Sequence, residues 1–500
     1  MLSSFRLAVL LRIFSTASSL IVGLATLRLY GRYLSPASYG VVLVALQILS
    51  YLPVIGMGFI TPINQRLLST SDNVERERLI HFAEGFNTWL GVWVALVSTL
   101  GVGLYSLTSI AQQSGQPLAF FLGLGSVTGI GFFVSNQMTL LIGLKAQSMV
   151  FLIGSLQSWA TLVGLWGGFK LKLGLWAFPF SSATSTAAIW LLTWVAIKKL
   201  QPGYRFVRFR IPTDFWEWFN RLKIDGLACV RTQAAITLLF TIDLVIVGTV
   251  CGPYEAAVYG VLSRLFGVLR SVLQSLSEAS WPIIAQRGRQ ASDLGQPLLH
   301  LNAWMFGAAM GALALTLIPL TRWYMGREWT AAPLVVWLML ARNLVSGLWS
   351  PAGYYLLGVG RFTTLCRYVE RELIVGTVLA IPLGHFFKLN GVAAAFLIST
   401  GFGTLFPLFR VYAKQVNTSL MKLLVQIWSR GLAGVLISLL IAFLFLLLPT
   451  FQQSWRPAVV VVVSAAGGLV AGLTWSFLRR LARTGGRGGT LSLRQIITQC

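Results

Sequence analysis

Charge is what this sequence has least of. Asp, Glu, Lys and Arg make up 11% of its 500 residues, less than half the share of a soluble domain. A chain so poor in charge cannot cover a globule for water, which excludes a soluble protein. Histidine and cysteine are also scarce, at 3 and 4 residues. Cys229, Cys251, Cys366 and Cys500 show no CxxC or other metal spacing. They read as small packing residues, neither disulfides nor ligands. His81, His300 and His385 are far apart and offer no metal motif. No cofactor or metal is therefore expected. No phosphate-binding glycine loop is present, which disfavours an ATP-driven pump. No paired-carboxylate or Ser/His/Asp arrangement stands out, and no long outer loop, so the chain does not read as an enzyme.

What is there is apolar sequence in long runs. Hydrophobic residues reach 56%, and runs of about 20 recur from end to end, each able to cross about 30 Å of hydrocarbon. Backbone amides in lipid must be satisfied within the segment or in a closed barrel. Barrel strands would alternate apolar and polar, and these runs do not. The chain reads as an all-α polytopic membrane protein with about fourteen transmembrane helices. They are expected near 7–29, 38–61, 80–105, 118–142, 147–169, 174–197, 224–250, 256–284, 298–321, 331–357, 364–387, 391–412, 431–449 and 457–478. Arg6 followed by an apolar stretch resembles a signal peptide. Arg12 interrupts it and no small-x-small site follows, so it reads as a retained first span.

The charges that exist lean one way, to a net +25. In a soluble protein that excess would suggest nucleic acid. Here it suits the Lys/Arg enrichment of cytoplasmic loops. The linker 198–223 carries Lys198, Lys199, Arg205, Arg208, Arg210, Arg221 and Lys223, and the tail adds Arg479, Arg480, Arg483, Arg487 and Arg494. Both termini are expected in the cytoplasm. Asp214 and Glu217 mark a helix start in the linker. Phe215, Trp216, Trp218 and Phe219 give an aromatic patch suited to an interfacial helix, as an elbow or a lipid contact.

An internal repeat divides the chain. Tyr39-Gly40 recurs as Tyr259-Gly260, and at the same offset Pro62 falls on Pro282. Gln65-Arg66 returns near Gln286-Arg287, Leu141–Lys145 resembles Leu356–Arg361, and Leu173–Ala177 resembles Asn390–Ala394. Spans one to six thus match spans seven to twelve, with two spans left over. The expected organisation is a six-helix bundle over 1–197, a basic linker over 198–223, and a second six-helix bundle over 224–412. Two more helices and a basic tail fill 413–500. Both halves begin in the same direction, so the repeat is parallel. Its pseudo-two-fold would lie along the membrane normal, as in transporters that rock two halves about a substrate site.

At these residues the chain resembles a family. Gly31-Arg-Tyr-Leu-Ser-Pro-Ala-Ser-Tyr-Gly40, and Asp243-Leu-Val-Ile-Val-Gly248 followed by Tyr259-Gly260, look like the openings of the two halves of the Wzx-like oligosaccharide flippases. These polysaccharide transporters belong to the superfamily that also holds multidrug and toxin extruders and the lipid II flippase. The resemblance covers nearly the whole chain. It implies a V-shaped pair of bundles around a cavity. It also implies flipping of undecaprenyl-pyrophosphate-linked oligosaccharide repeat units across the bacterial inner membrane, for O-antigen, capsule or exopolysaccharide. Polysaccharide polymerase and chain-length proteins are then possible partners.

Polar residues inside spans mark candidate contacts, since they are costly in lipid and face cavities. Span eight carries Ser263, Gly267, Arg270, Gln274 and Glu278 on one helical face, with Arg264 beside it. Span one carries Arg12, span four Asn136, and span seven Asp225 and Gln233. Arg12, Arg264, Arg270, Gln274, Asn136 and Gln233 are the expected substrate contacts, because Arg binds phosphate bidentately and stays charged. Arg28, Arg32 and Arg66 are weaker candidates at span ends. Asp225, Asp243 and Glu278, with Glu370, are candidates for coupling to H+ or Na+. Each of these charges reads equally as a structural ion pair or a snorkelling side chain. Arg367, Glu370, Arg371 and Glu372 look like one local ion-pair cluster. Two alternatives stand beside the flippase: a multidrug or cation extruder of the same architecture, and a membrane glycan polymerase or ligase.

Overall fold

The computed structural model describes residues 2–447, apart from short stretches within 52–71 and at 145, 210–214, 240, 288–291 and 360, together with most of 459–468. The expected fourteenth span and the basic tail lie largely outside the described residues, as does the proposed cap Asp214. The described residues form helices and connecting turns, with no strand among them. In chain order the helices are α1 Leu2–Tyr33, α2 Pro36–Leu49, α3 Asn73–Tyr105, α4 Leu118–Gly143, α5 Gln147–Lys170 and α6 Ala177–Leu200. Next come α7 Phe215–Leu239, α8 Ile242–Ile246 running on into a π-turn at Val247–Cys251, and α9 Pro253–Arg287. The last are α10 Ser292–Met325, α11 Pro333–Gly358, α12 Phe362–Ser399, α13 Phe406–Gln415 and α14 Leu420–Leu447. Helices therefore stand at each expected span up to residue 447.

Among the described residues, 8 helical segments are long and apolar enough to cross a bilayer, or 9 if the bent pair Cys229–Leu239 and Ile242–Cys251 is one span. One of these segments, Thr363–Gln415, is 53 residues long and is broken at Lys388, where φ is 51°. Its two parts match the expected spans eleven and twelve. The equivalent turn of the first half holds Lys172 at φ 58° and Gly174 at φ 56°. A left-handed turn thus precedes the last expected span of each half.

Helix starts follow local chemistry. Ser35 caps α2 by accepting from the Ser38 amide, with Pro36 at the first helical position, where its missing N–H costs nothing. Asp72 caps α3 through the Val74 amide at 2.9 Å.

The chain divides into two compact units, Met1–Val261 and Leu262–Cys500. This division lies further along the chain than the 198–223 linker of the sequence repeat. The reason is local: α2 packs against α8 and its π-turn, and Gly40 of α2 lies on the Pro253 carbonyl, leaving no room for a Cβ. The two repeated Tyr-Gly pairs therefore share one core, with Tyr39 and Tyr259 both fully buried.

In the first unit α3 packs on α4, α4 on α6, α6 on α5 and α5 on α1. A Cβ at Gly125 of α4 would stand 2.6 Å from the Ser98 carbonyl of α3. Close backbone approach of this kind is how helices associate in lipid, where hydrophobicity supplies no drive. In the second unit α10 packs along α14 and against α11. Gly307 of α10 meets Gly431 of α14, and Gly434 returns the contact on Ala308. Other faces remain apolar and uncovered. On α3 these are Trp93, Leu96, Leu100 and Leu104, and on α14 Leu432, Leu436, Leu440 and Leu444. Their spacing of three to four makes a continuous stripe on each helix.

Candidate functional site

The central linker is not a free basic loop. Glu84 of α3 is 1% exposed. Its Oε1 accepts from the Arg205 amide at 2.7 Å, and its Oε2 pairs with Arg208 Nη1 at 2.6 Å. One turn on, Thr88 Oγ1 accepts from the Arg208 amide at 2.9 Å. Trp89 Nε1 donates to the Phe209 carbonyl at 3.2 Å, and Gln137 Nε2 donates to the Phe206 carbonyl at 3.0 Å. Tyr204 is buried and donates to Gln137 Oε1. Burial, and then the Glu84 charge, push its phenol well above the usual tyrosine range. Glu84 and Thr88, one turn apart, with Trp89 next to Thr88, answer the backbone groups of Arg205, Arg208 and Phe209, which no helix or strand satisfies.

The linker's aromatic patch is also turned inward. Phe215 packs on Phe82 at 5.1 Å between centroids and Phe219 on Phe59 at 5.7 Å. Trp218 is buried with Leu222 in the same core, and Trp216 stands out at 65% exposure. Helix α7 begins at Phe215 and runs unbroken through Leu239. The expected separate interfacial helix is the first part of this longer one.

Asp243 lies in the first turn of α8 and is 3% exposed. Its Oδ2 accepts from Tyr259 Oη at 3.0 Å and its Oδ1 from the Leu244 amide at 2.8 Å. Tyr259 belongs to the repeated Tyr-Gly pair, so this carboxylate ties α8 to the start of α9.

Helix α9 has two faces. Leu262, Phe266, Leu273 and Ser277 are buried. Ser263, Arg264, Gly267, Arg270 and Gln274 are half-exposed. The residues of the expected stripe up to Gln274 thus lie on the half-exposed side of α9, together with Leu265 and Leu269; the side chain of Glu278 lies outside the described residues.

The second unit also holds a buried carboxylate. Glu372 of α12 is 2% exposed. Its Oε1 accepts from Thr400 Oγ1 at 2.6 Å. That hydroxyl also lies 2.7 Å from the Phe396 carbonyl, so its one proton serves two acceptors. Glu372 Oε2 has no hydrogen bond of regular geometry among the described residues. Arg342 of α11 and Arg270 of α9 are the cations whose charge reaches it. Arg342 is 9% exposed and sits 4.7 Å over the Phe396 ring, a cation–π contact. A Cβ at Gly403 would stand 2.7 Å from the Glu372 Cα. Glycine there lets the Thr400–Leu405 π-turn press onto α12. This corrects the reading of Arg367, Glu370, Arg371 and Glu372 as one local cluster. Glu372 turns inward while Arg367 and Arg371 are exposed, because adjacent positions on a helix point about 100° apart.

The remaining candidates scatter. Asn136 is buried on α4 beside the linker dock, and Gln233 is half-buried on α7. Arg28 and Arg32 are exposed near the end of α1, with Arg32 5.8 Å over the Tyr33 ring. Arg66 is half-buried, and Glu370 Oε1 lies 3.5 Å from Cys366 Sγ. The side chains of Arg12 and Asp225 lie outside the described residues. No group of three or more His, Cys, Asp or Glu side chains able to hold a metal occurs among the described residues. Sequence reasoning missed Glu84, and it placed Arg208 in the basic linker and Glu372 in a local cluster without the distant partners they meet. The signal for Glu84 was available: a lone acid inside an apolar run, one turn before Thr88.

No family model and no curated protein matches the chain by sequence. Solved structures do match by fold. A lipid II flippase, MurJ, in an inward closed conformation superposes with a TM-score of 0.72 at 15% identity, over 95% of this chain and 100% of that one. The MATE multidrug transporter DinF-BH in complex with R6G gives 0.61 at 15%, over 83% and 97%. An inward-facing multidrug resistance MATE family transporter of the MOP superfamily gives 0.56 at 14%, over 82% and 99%. The chain thus has the fold these transporters share.

Proposed function

We propose that this chain is a transporter that moves a lipid-linked, anionic sugar headgroup across a membrane by alternating access. The observation that carries this reading is the length of the likeness: the lipid II flippase fold accounts for 95% of the chain, against 82–83% for the MATE folds above. The chemistry is consistent with an anionic cargo. Arg264 and Arg270 stand on the half-exposed polar face of α9, and the chain carries +25 overall. A pyrophosphate leaving water needs cationic donors that stay charged, which arginine supplies. Arg12, Gln274, Asn136 and Gln233 remain candidate contacts.

The cargo would be an undecaprenyl-pyrophosphate-linked oligosaccharide, carried across a bacterial inner membrane for a surface polysaccharide. Glu372, buried and with the charges of two arginines in reach, joins Asp225, Asp243 and Glu278 as a candidate for coupling to H+ or Na+. The second reading is a multidrug extruder, favoured by the MATE likeness.

The test is a deletion strain. Lipid-linked sugars are extracted and their leaflet assigned with a membrane-impermeant glycan-modifying enzyme. A complete repeat unit held on the cytoplasmic leaflet is the expected result. An outward-facing unit left unpolymerised would assign the chain to a polymerase or ligase step. Unchanged lipid-linked sugars would favour the extruder.

A further inference from the structure

Helices α4 and α6 enclose an apolar groove of about 380 Å³. Val127, Ile130 and Phe133 line it from α4, and Ala183, Ala187 and Trp190 from α6. A Cβ at Gly131 would stand 2.8 Å from Thr186 Oγ1, so glycine brings the two helices together at the groove. Ile130 and Trp190 are 49% and 48% exposed, so the groove opens outward from the unit.

One end is closed by the docked linker. The Phe206 ring meets Phe133 edge-on at 6.1 Å and Trp190 at 6.4 Å. Its carbonyl is fixed by Gln137. Beside this plug the surface turns cationic. Arg205 precedes Phe206 and its side chain is exposed. Lys198 lies two turns beyond Trp190 on α6, exposed, with Nζ 3.1 Å from the Pro202 carbonyl. An ammonium has three donors, so two remain free of that bond. Arg208 is tied to Glu84 and takes no part.

The depths match a lipid. At about 1.5 Å per residue, Trp190 lies about 12 Å and Ala183 about 22 Å along α6 from Lys198. Half the hydrocarbon core is about 15 Å. Counted from the headgroup layer, one leaflet is about 20–22 Å deep, so with the cations among the headgroups the groove runs from tail depth at Trp190 to about the midplane at Ala183. We infer that this groove holds one acyl chain of an anionic phospholipid, with its phosphate on Lys198 and Arg205, in the leaflet where the linker lies. Charge complementarity selects the anionic lipid over a zwitterionic one. The lipid covers the Phe206 plug and so couples headgroup composition to linker docking.

The test uses the full chain in phosphatidylcholine vesicles with a small fraction of phosphatidylglycerol carrying a photoactivatable diazirine in its tail. Adducts are mapped by mass spectrometry. Labelling is expected to concentrate on 127–134 and 183–190 over the exposed stripe of α3 at Trp93 and Leu100. Unlabelled phosphatidylglycerol should compete, and phosphatidylcholine should not. The K198Q/R205Q variant, which changes two exposed side chains, should weaken labelling by up to about 25-fold, at about five-fold per cation near an anionic surface. A187W should remove the groove adducts and leave those on α3. Equal labelling of α3, equal competition by phosphatidylcholine, or unchanged labelling in K198Q/R205Q would overturn the proposal. Stronger competition by undecaprenyl phosphate than by phosphatidylglycerol would also overturn it, assigning the groove to the transported lipid. The competition arms need no variant, so a failure of A187W to fold leaves the proposal testable.

Discussion

Two acids in apolar sequence decide most at the residue scale, and they do opposite work. Glu84 is fully answered, by one guanidinium and one backbone amide. Replacing it with Ala leaves Arg208 without its carboxylate. Loss of one partner of a buried pair costs about 3–5 kcal/mol. Arg208 keeps 22% of its side chain in contact with solvent, so the lower end is expected. Thermal unfolding of purified protein should show a lowered midpoint, with Glu84→Gln losing less; an unchanged midpoint in Glu84→Ala would refute the dock. Glu372 is held by the Thr400 hydroxyl, with the charges of Arg342 and Arg270 in reach. Glu372→Gln keeps the Thr400 hydrogen bond and removes the charge. It should fold to normal abundance yet make flipping in proteoliposomes indifferent to an imposed ion gradient. A variant that still responds to the gradient would remove Glu372 from the coupling candidates.

Helices in this molecule are joined by glycine where lipid gives no hydrophobic drive. The α10–α14 contact runs through Gly307, Gly431 and Gly434, with carbonyls and amides at the contact surface. A side chain there must push whole helices apart. Gly307→Val is expected to cost about 1–3 kcal/mol as overpacking, read as a lower unfolding midpoint and reduced membrane abundance. Gly101→Ala is the control, since nothing lies near its Cβ position, and should change neither. Equal behaviour of the two variants would mean that the close approach of α10 and α14 carries no stability. The left-handed turns at Lys172 and Lys388 belong to this scale too. They terminate one span and start the next without a long loop, which is why hydropathy alone resolves two spans where the helix runs almost continuously.

Across the whole molecule, the lean of charge predicts topology. Lys and Arg gather in the linker and the tail, and such segments stay in the cytoplasm. Tags at either end, and a cysteine placed at exposed Val207, should react with impermeant reagents only after the membrane is opened. Reaction of one terminus from outside would mean an odd number of spans. The compact units, Met1–Val261 and Leu262–Cys500, do not coincide with the sequence repeats. The linker and the repeated Tyr259-Gly260 both pack with the first unit, so equal sequence halves do not give equal contact units.

The sequence by itself determined that the chain is helical, apolar and many times membrane-spanning, because hydropathy and the 3.6-residue period are local properties. It also gave the polar face of α9 and the two-fold repeat, which need only spacing along the chain. Tertiary structure alone decided which charges meet. Glu84 and Arg208 stand 124 positions apart, and Glu372 finds Thr400 across a helix break. No local period encodes such pairs. A single charge in a span reads the same whether it faces a cavity, a partner or the headgroups. Only the packing of one helix on another tells these apart, because burial without water is what forces a charge to be answered.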